Sequence, residues 1–554
     1  MLNKSRKNSF YYLIATTIIV LPLIIGIAYS FITSLNNSEK NFRGDQALIE
    51  IYTLNALHGK QLLGPYSRLN WNHLGPAYFY MLAPIYILMN CSSFGLLIGA
   101  MIINIAAIML ILIILKKHTD IKVFSIASII LAIYLCSITS QLLSFWSPRV
   151  TYLPFMGFIY LCALVAFDKK WAFPLMFFIG SFIIQNHLMY VPTVAVLIAT
   201  AITINLASKI KKKKAIFKEA KMQWLASLLI LLIMWTPPLI EEVNNSPGNM
   251  SKIAHFFLDK PTNHSKAEPS IAFNKYIRRY GRIPVSVIDN LNYFEQSKNT
   301  KNKNIATLTF FVVIITASII SLFIALRRKK WFFFYLLLMC LMATATSIWS
   351  AFQIIGRVRN HMVFWSSTLS IISITAIVGT FLPQINEYFA KKNRSSKKRG
   401  NIKIVTILIL ISITSLTTFQ MFFVHKKHFI TDKLYDYTDI TDSVSKYIRD
   451  NNITRPVLTV IDKKAYRLAS MIFLNLYKRD VKFLVKGRRS YIFRGTLKST
   501  KKEKDYIAIA TRANYKRLIK RTDYHFITKN TDLCIFGFTS DKKKPKSLTK
   551  PRNR

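Results

Sequence analysis

The sequence predicts a polytopic α-helical membrane protein that ends in a small soluble α/β domain. Of its 554 residues, 52% are hydrophobic, and the mean hydropathy is +0.29. Apolar stretches of about 20 residues, the length that one helix needs to cross a bilayer, recur along the first 424 residues. From about residue 425 the composition changes to short apolar runs that alternate with charged stretches. We therefore expect a membrane module over residues 1–424 and a separate domain over 425–540.

The apolar stretches predict eleven membrane spans, at residues 10–32, 94–115, 123–145, 151–167, 172–190, 191–207, 223–240, 305–326, 331–350, 362–382 and 403–424. The basic clusters that border these spans then all fall on one side of the membrane, as the positive-inside tendency asks of the cytoplasmic side. They are Lys4/Arg6/Lys7, Lys116/Lys117, Lys169/Lys170, Lys211 to Lys214, Arg327 to Lys330 and Lys391 to Arg399. The N-terminus is thus cytoplasmic, and a first loop (33–93), a second large loop (241–304) and the C-terminal domain are extracytoplasmic.

Residues 76–90 are apolar and aromatic but short, and a crossing here would reverse every later basic cluster. We predict that this segment dips into the membrane without crossing it, covered by protein or by a water-filled cavity. The alternative is a real crossing that a missed or merged span elsewhere compensates, for a total of about 11–13 spans. Residues 1–32 combine a basic start with a long apolar run and no convincing cleavage site, so we expect a retained signal anchor.

The formal net charge of +51 would suggest nucleic acid as the partner of a soluble chain. Many of the lysines and arginines border apolar stretches, however, where they set orientation, so we predict membrane lipids and no nucleic acid as partners. The five cysteines show no paired spacing, and the sequence contains no Walker A, dinucleotide-binding or HExxH motif. Neither a disulfide framework nor a nucleotide or zinc site is predicted.

In the C-terminal region, residues 456–462 and 505–511 are apolar runs typical of buried strands. A helical pattern over 465–477 and a strand-like run at 481–485 lie between them. The region predicts a soluble α/β domain, followed by a solvated, disordered basic tail over 541–554.

Polar residues of the membrane module collect at one membrane face, in separate segments of the chain. They are Asp45, Glu50, His73, Arg149, Gln185, Asn186, His187, Glu241, Glu242, Arg357, Arg359 and His361. Each has an ordinary structural interpretation, because an arginine can snorkel to headgroups, a histidine can pack between helices, Asp45 can cap the helix that follows it, and the glutamate pair can open a solvated loop. Their concentration at one face nevertheless favours a functional site, since an acid near a membrane is costly to place.

This set of side chains suits the transfer of a sugar from a polyprenyl-phosphate carrier. The reaction needs a general base for the acceptor hydroxyl, which a carboxylate supplies, and cations for the departing phosphate, which arginine supplies with its planar fork of donors. His73 and His187 would orient groups or shuttle protons. The aromatic run with Tyr78 and Tyr80 fits a groove for the isoprenoid chain or a stacking surface for the sugar, with an interfacial aromatic belt as the structural alternative.

The first loop carries the sequence GDQA at residues 44–47, a helical stretch that ends at Gly59, and the sequence HLGPAYFY at 73–80. It resembles the first extracytoplasmic loop of GT-C glycosyltransferases. Within that superfamily it is similar to the branch of protein mannosyltransferases, lipid A aminoarabinose transferases and lipopolysaccharide-core galacturonosyltransferases. Residues 185–188 and 235–242 resemble later signatures of the same branch, and the resemblance covers roughly residues 10–385.

The resemblance implies a helical bundle with short juxtamembrane helices in the first loop, a lipid-phosphate sugar donor, and a bacterial inner (cytoplasmic) membrane as the location. It makes Asp45 the catalytic base. Many relatives have two adjacent acids here, whereas Gln46 follows Asp45 in this chain. Glu50 or the Glu241/Glu242 pair is then left to supply a second acidic role. No metal ligands are assigned, and a divalent cation is left open as a cofactor.

We therefore predict an integral-membrane glycosyltransferase that moves a sugar from a polyprenyl-phosphate donor to a lipid, glycan or protein acceptor on the extracytoplasmic face, with inversion. Asp45 activates the acceptor oxygen, and Arg357 and Arg359, with Arg149, hold the phosphate. One alternative is a polysaccharide polymerase or ligase that uses a lipid-diphosphate-linked glycan and has its functional loop at 241–304. Another is a transporter of lipid-linked substrates, although the sequence shows no paired halves of the inverted-repeat kind.

Overall fold

A computed structural model describes residues 2–36, 40–211, 221–259, 265–282, 300–392, 401–425, 436–462, 464–486, 492 and 504–539 of the chain. A bundle of long apolar helices precedes residue 436, and an α/β domain with a five-stranded sheet follows it. The basic tail predicted at 541–554 lies outside the described residues, as do parts of the basic clusters at 212–214 and 393–399.

The helices before residue 436 are numbered in chain order. They are α1 (Leu2–Asn36), α2 (Asp45–Leu57), α3 (Ala77–Leu88), α4 (Ser93–His118), α5 (Ile121–Ser137), α6 (Thr139–Leu142), α7 (Ser147–Val150), α8 (Tyr152–Ala166), α9 (Ala172–Asn186), α10 (Val191–Lys211), α11 (Lys221–Asn244), α12 (Asn249–Leu258), α13 (Pro269–Tyr280), α14 (Thr300–Arg327), α15 (Trp331–Phe352), α16 (Ser366–Lys392) and α17 (Asn401–His425).

A helix stands at each of the eleven predicted spans within the described chain. Eight stretches are long and apolar enough to cross a membrane, and the other three spans, at α5, α9 and α16, are shorter apolar helices in the part described. The membrane character follows from composition, because a bilayer satisfies no backbone hydrogen bonds and helices satisfy their own. The prediction of an integral membrane protein is confirmed.

Two predicted spans end earlier than their apolar character suggests. Helix α5 stops at Ser137 and is followed by the four residues of α6, and α9 stops at Asn186 before a 3-10 turn at Leu188–Tyr190. Polar residues interrupt both apolar runs at these points. The breaks matter for the site, because they turn Trp146 and His187 out of regular helix at the same end of the bundle.

Helix α3 lies in the segment that is predicted to dip without crossing. Its 12 residues extend roughly 18 Å, well short of the ~30 Å hydrocarbon core of a bilayer. The helix packs between α2 and α4, and Tyr78, Phe79, Leu82 and Tyr86 are buried there. A short helix covered by protein agrees with the predicted non-crossing segment.

The C-terminal domain contains strands β1 (Val457–Val460), β2 (Leu484–Lys486), β3 (Asp505–Thr511), β4 (His525–Lys529) and β5 (Leu533–Thr539), with helices α18 (Thr438–Asp450), α19 (Tyr466–Lys478) and α20 (Tyr515–Leu518). The sheet order is β2-β1-β3-β5-β4, in which β1 is parallel to β2 and β3, and β5 is antiparallel to β3 and β4. The predicted α/β domain is confirmed, and the β4–β5 hairpin adds to the three strands that the sequence indicates.

Candidate functional site

Asp45 is the first residue of α2, and Gly44 precedes it with φ +65°. At that φ a side chain would be strained, so glycine suits the sharp entry into the helix. Asp45 therefore does not cap α2, and the interpretation as an N-cap is wrong. Its Oδ1 instead accepts a hydrogen bond from the hydroxyl of Tyr66, at 2.6 Å. The carboxylate is partly exposed and is oriented by a tyrosine that the sequence analysis does not single out.

Tyr66 belongs to an irregular hairpin over residues 64–73. Its two sides are joined by hydrogen bonds from Gly64 N to His73 O at 3.1 Å and from His73 N to Pro65 O at 2.8 Å, and Tyr66 pairs with Asn72 in an antiparallel bridge. The hairpin presents Tyr66 to Asp45, carries the exposed Arg68 near its tip and ends at His73. In the sequence, a proline, a serine and two asparagines within these ten residues are the signal that could have predicted a turn here.

His73 docks onto the break between α9 and α10. Its Nδ1 accepts from the backbone N–H of Leu188 at 3.1 Å, and the N–H of Ala77 donates to Oε1 of Gln185 at 3.1 Å. Gly75 lies against the side chain of Gln185, and a Cβ at this position would stand 2.3 Å from Gln185 Oε1. A glycine therefore allows the two segments to come this close. Two of the segments that carry the family resemblance, around His73 and around Gln185, are therefore in direct contact.

Three histidines meet at this point. The rings of His73 and His187 are stacked with centroids 4.8 Å apart, and the ring of His361 stands edge-on to that of His187 at 5.9 Å. His361 also contacts the ring of Trp146 at 5.1 Å. The first loop, the α9–α10 junction and the α15–α16 loop each contribute one histidine, as the sequence analysis expects of residues at one membrane face.

The three imidazoles are held in the neutral form. Burial, with a further contribution from the charge of His361, lowers the pKa of His73 to about 3, and burial lowers the pKa of His187 well below its usual value. Burial and the charges of Arg359 and Arg68 lower the pKa of His361 to about 4, against an opposing effect of Asp45. Because Nδ1 of His73 accepts a backbone hydrogen bond, the proton of the neutral ring is on Nε2.

Arginines surround the acid and the histidines. Arg68, Arg357 and Arg359 are all exposed. Burial and the positive charges of Arg68 and Arg357 lower the pKa of Arg359, and the Asp45 carboxylate opposes this effect. Neighbouring positive charges repel one another, and a bound anion relieves this repulsion. These three side chains therefore form a suitable site for a phosphate.

The α15–α16 loop that carries Arg357 and Arg359 is tied to α13 and to the segment before it. Ala267 N donates to Ile354 O at 2.8 Å, and the ammonium of Lys275 donates to Val358 O at 2.5 Å. Burial, followed by the charge of Arg357 and of three further arginines, lowers the pKa of Lys275. Lys275 therefore both holds the loop and adds a cation beside it.

Arg149 lies next to the histidines through Trp146, with its guanidinium 5.7 Å from the centre of that ring. Its Nη1 donates to Ser140 O at 3.3 Å. Its Nε is buried and makes no hydrogen bond within the described part of the chain. This buried donor, on a side chain that contacts Trp146 beside the histidines, is compatible with the predicted role of Arg149 toward an anionic substrate.

We call Asp45, Tyr66, Arg68, His73, His187, Arg357, Arg359 and His361 the Asp45 cluster. Glu50 is not part of it, because its side chain is fully buried and accepts hydrogen bonds from Tyr86 at 2.8 Å and Ser93 at 2.5 Å. Lys478 of the C-terminal domain forms an ion pair with the same carboxylate. The prediction of a catalytic role for Glu50 is at odds with this environment, which leaves its oxygens no access to a substrate.

The Glu241/Glu242 pair caps a helix. Glu241 Oε2 accepts from the backbone N–H of Asn249 at 2.8 Å, and Glu242 accepts from the N–H of Met250 at 2.6 Å and of Ser251 at 3.0 Å, all in the first turn of α12. Neither direct substrate binding nor a solvated loop describes this arrangement. The predicted second acidic role is therefore not met by these residues, because their oxygens serve the orphan donors of a helix start.

Through Asn249, Glu241 also supports the hairpin. The side chain of Asn249 accepts from Asn72 N and donates to Asn72 O, each at 2.8 Å, and all three residues are buried. Tyr78 likewise is fully buried and donates to Phe145 O at 2.6 Å, which corrects its predicted place in a substrate groove. Tyr80 is half-buried on α3. Among the described residues, no group of three or more histidine, cysteine or acidic side chains is arranged to hold a metal ion.

The architecture assembled from these parts is a helical membrane bundle with an acid and cations at one end and an α/β domain docked beside them. Two crystal structures of ArnT from Cupriavidus metallidurans match the chain, each with a TM-score of 0.51 and 9% sequence identity. The match to the apo structure covers 94% of this chain and 97% of the ArnT chain. The match to the structure bound to undecaprenyl phosphate covers 95% of this chain and 99% of the ArnT chain.

ArnT is an aminoarabinose transferase of the GT-C superfamily, so the predicted resemblance is confirmed at the level of the fold. The likeness spans nearly the whole of both chains and includes the C-terminal domain, which lies beyond the residues that carried the resemblance in the sequence. No protein-family model and no curated protein matches the sequence.

Proposed function

We propose that this protein is an integral-membrane glycosyltransferase that transfers a sugar from a polyprenyl-phosphate donor to a lipid, glycan or protein acceptor. The observation that carries the proposal is the Asp45 cluster, in which a partly exposed carboxylate stands beside exposed arginines and neutral histidines. The fold adds support, since one of the matching ArnT structures is bound to undecaprenyl phosphate.

In the proposed reaction, Asp45 is the general base. The acceptor oxygen attacks the anomeric carbon of the donor while its proton passes to the Asp45 carboxylate, and the bond from that carbon to the phosphate oxygen breaks. The electron pair leaves with the polyprenyl phosphate. A single displacement of this kind inverts the configuration at the anomeric carbon. The hydrogen bond from Tyr66 fixes one carboxylate oxygen and leaves the other to receive the proton.

Arg68, Arg357 and Arg359 stabilise the departing phosphate. The leaving group develops a second negative charge as the bond breaks, and preorganised cations stabilise charge most where it develops. The neutral histidines add N–H donors without adding charge, so they can hydrogen-bond sugar hydroxyls or phosphate oxygens without weakening the proton affinity of a nearby base. We place this chemistry on the extracytoplasmic face, from the distribution of basic clusters, and in a bacterial inner membrane, as the family resemblance implies.

The test is a transfer assay with purified, reconstituted protein and synthetic polyprenyl-phosphate sugars. We expect product only with donors of this class, and Asp45→Asn should abolish transfer while the protein keeps its yield and Tm. Asp259→Asn is the matched control, because Asp259 is an exposed acid that pairs with His255 away from the cluster. Full transfer by Asp45→Asn would remove Asp45 as the base.

The acceptor is identified by mass spectrometry of cell-envelope glycolipids and glycoproteins from cells with and without the protein. A missing mass that corresponds to one sugar gives the sugar and the acceptor together. A polymerase or ligase would instead require a diphosphate-linked donor, so both donor forms are compared in the reconstituted assay. Movement of the intact lipid-linked sugar across the vesicle, without a covalent product, would indicate a transporter and overturn the proposal.

A further inference from the structure

Helix α19 of the C-terminal domain lies along α2, the helix that begins with Asp45. The two helices are in contact at three positions along α2. At the start, Gly44 N donates to Ser470 Oγ at 2.9 Å and to Arg467 O at 3.1 Å. In the middle, Glu50 pairs with Lys478, and towards the end the hydroxyl of Tyr477 donates to Asn55 Oδ1 at 2.5 Å.

The first of these contacts is adjacent to the proposed base. Gly44 is the residue before Asp45, and its N–H is shared by two acceptors of α19. Ser470 is fully buried, and its hydroxyl in turn donates to Arg467 O at 2.8 Å. Because the backbone at Gly44 has a left-handed φ with wide conformational freedom, these bonds fix the direction in which α2 starts.

The ion pair between Glu50 and Lys478, in the middle of α2, opposes rotation of this helix about its axis. Glu50 is five residues after Asp45, on a different side of α2, and its carboxylate is fully buried. Lys478 contacts that carboxylate and also donates to Cys91 O at 3.1 Å, so it joins α2 to the chain before α4. A rotation of α2 that moved Asp45 would separate a buried acid from its cation, which is strongly unfavourable.

On the basis of the proposed function, we propose that α19 is a positioning element for Asp45, with Ser470 and Lys478 as its positioning residues. Sugar transfer by this protein then depends on the docked C-terminal domain, through the contacts of Ser470 with Gly44 and of Lys478 with Glu50. The domain acts through α2, by holding the start and the rotation of the helix that presents the carboxylate.

The proposal is tested with the full-length protein in nanodiscs, by the kinetics of Ser470→Ala, Lys478→Met, Lys478→Arg and Arg479→Met. Arg479→Met is the matched control, because Arg479 follows Lys478 directly but pairs with Asp442 at the surface of the C-terminal domain. Ser470→Ala and Lys478→Met should lower kcat at least about tenfold with the donor KM nearly unchanged, because misplacement of a catalytic group affects the chemical step. Lys478→Arg should recover most of the lost kcat, and Arg479→Met should match the wild type.

A second measurement is independent of activity. Hydrogen exchange of the peptide around residues 42–48 should become faster in Ser470→Ala and Lys478→Met and remain as in the wild type in Arg479→Met. If Lys478→Met does not fold, Ser470→Ala still decides the kinetic test, because it removes only one hydroxyl. Wild-type kcat and unchanged exchange in Ser470→Ala would overturn the proposal.

The two proposals fail in different ways. If the wild type transfers no sugar from any polyprenyl-phosphate donor, the proposed function fails, and the exchange measurement alone decides whether α19 fixes the start of α2. If the wild type transfers sugar, Asp45→Asn does not, and both α19 variants keep wild-type kcat, the function stands and the positioning role is wrong.

Discussion

The imidazole rings of His73 and His187 lie stacked, with centroids 4.8 Å apart and planes 27° apart. Two imidazolium ions would repel each other at this separation, and burial lowers the pKa of both rings. The pair is therefore neutral at physiological pH. It brings together residues from the first loop and from the α9–α10 junction, and His187 joins the pair to His361, whose pKa the charges of Arg359, Arg68 and Asp45 affect.

Acid should destabilise the protein through these histidines. In the unfolded chain they take up protons below about pH 6.5, their ordinary pKa, whereas in the folded protein the pKa is about 3 for His73 and about 4 for His361. Between these values the unfolded state binds more protons, so this contribution to stability is complete above about pH 6.5 and is lost as the pH falls toward about 4. The measurement is the Tm of the purified protein as a function of pH.

His187→Phe keeps a ring in the stack but removes a titrating group, so its Tm should fall less steeply with decreasing pH. The control is His255→Phe, because His255 is exposed and pairs only with Asp259 at the end of α12 in the part of the chain described. It should keep the wild-type profile. Identical pH profiles for the wild type and His187→Phe would show that the buried ring does not resist protonation.

Removal of the tyrosine that orients Asp45 should slow the reaction. Tyr66→Phe loses the 2.6 Å hydrogen bond to Asp45 Oδ1, and we expect kcat to fall by about 10–100-fold because the carboxylate is no longer held in one orientation. The donor KM should change little. Tyr437→Phe is the matched control, because Tyr437 donates to Asp532 in the C-terminal domain in the same way, at 3.1 Å. Equal kinetics for the two variants would contradict the orienting role of Tyr66.

The arginines should act mainly on the donor. Arg359→Gln and Arg68→Gln each remove a charged donor, and loss of a charge-assisted hydrogen bond to phosphate should raise the donor KM by about tenfold or more. Higher salt should raise the wild-type KM and affect the variants less. Arg517→Gln, an exposed arginine of the C-terminal domain that donates to Asn514, is the control. If a variant that combines Arg68→Gln and Arg359→Gln keeps the wild-type donor KM, these two arginines do not bind the donor phosphate.

Asn249 should be essential to the hairpin that carries Tyr66 and His73. Asn249→Ala leaves Asn72 N and Asn72 O without their buried partner, while the backbone N–H that Glu241 accepts is kept. We expect a stability loss on the order of 2 kcal/mol, seen as a lower Tm, together with a lower kcat. Asn245→Ala is the control, because Asn245 is exposed and donates only to the Glu241 backbone among the contacts described. A wild-type kcat in Asn249→Ala would show that the hairpin holds its position without this bridge.

Much of the fold could be predicted because hydropathy and span length act locally. A bilayer requires an apolar helix of fixed length wherever the chain crosses, so each predicted span appears as a helix in the described chain. Helices α5 and α9 end earlier than predicted, and α16 continues to Lys392, beyond the predicted end of its span at residue 382. Asp45, His73 and His187 were also identifiable, because their segments resemble a known loop. The cluster was less predictable: Tyr66 and Arg68 lie in a short irregular hairpin without a strong pattern.

The sequence by itself determined the membrane module, the α/β domain and the segments that supply Asp45 and the histidines, because these follow from composition and from short local patterns. Only the tertiary structure decided which polar residues gather in the Asp45 cluster and which serve the fold. Glu50 is buried against Lys478, Glu241 and Glu242 cap α12, and Tyr78 donates to a backbone carbonyl. The physical reason is that burial and hydrogen bonding depend on partners far away in the chain, and the type of a polar residue does not reveal which partner it meets.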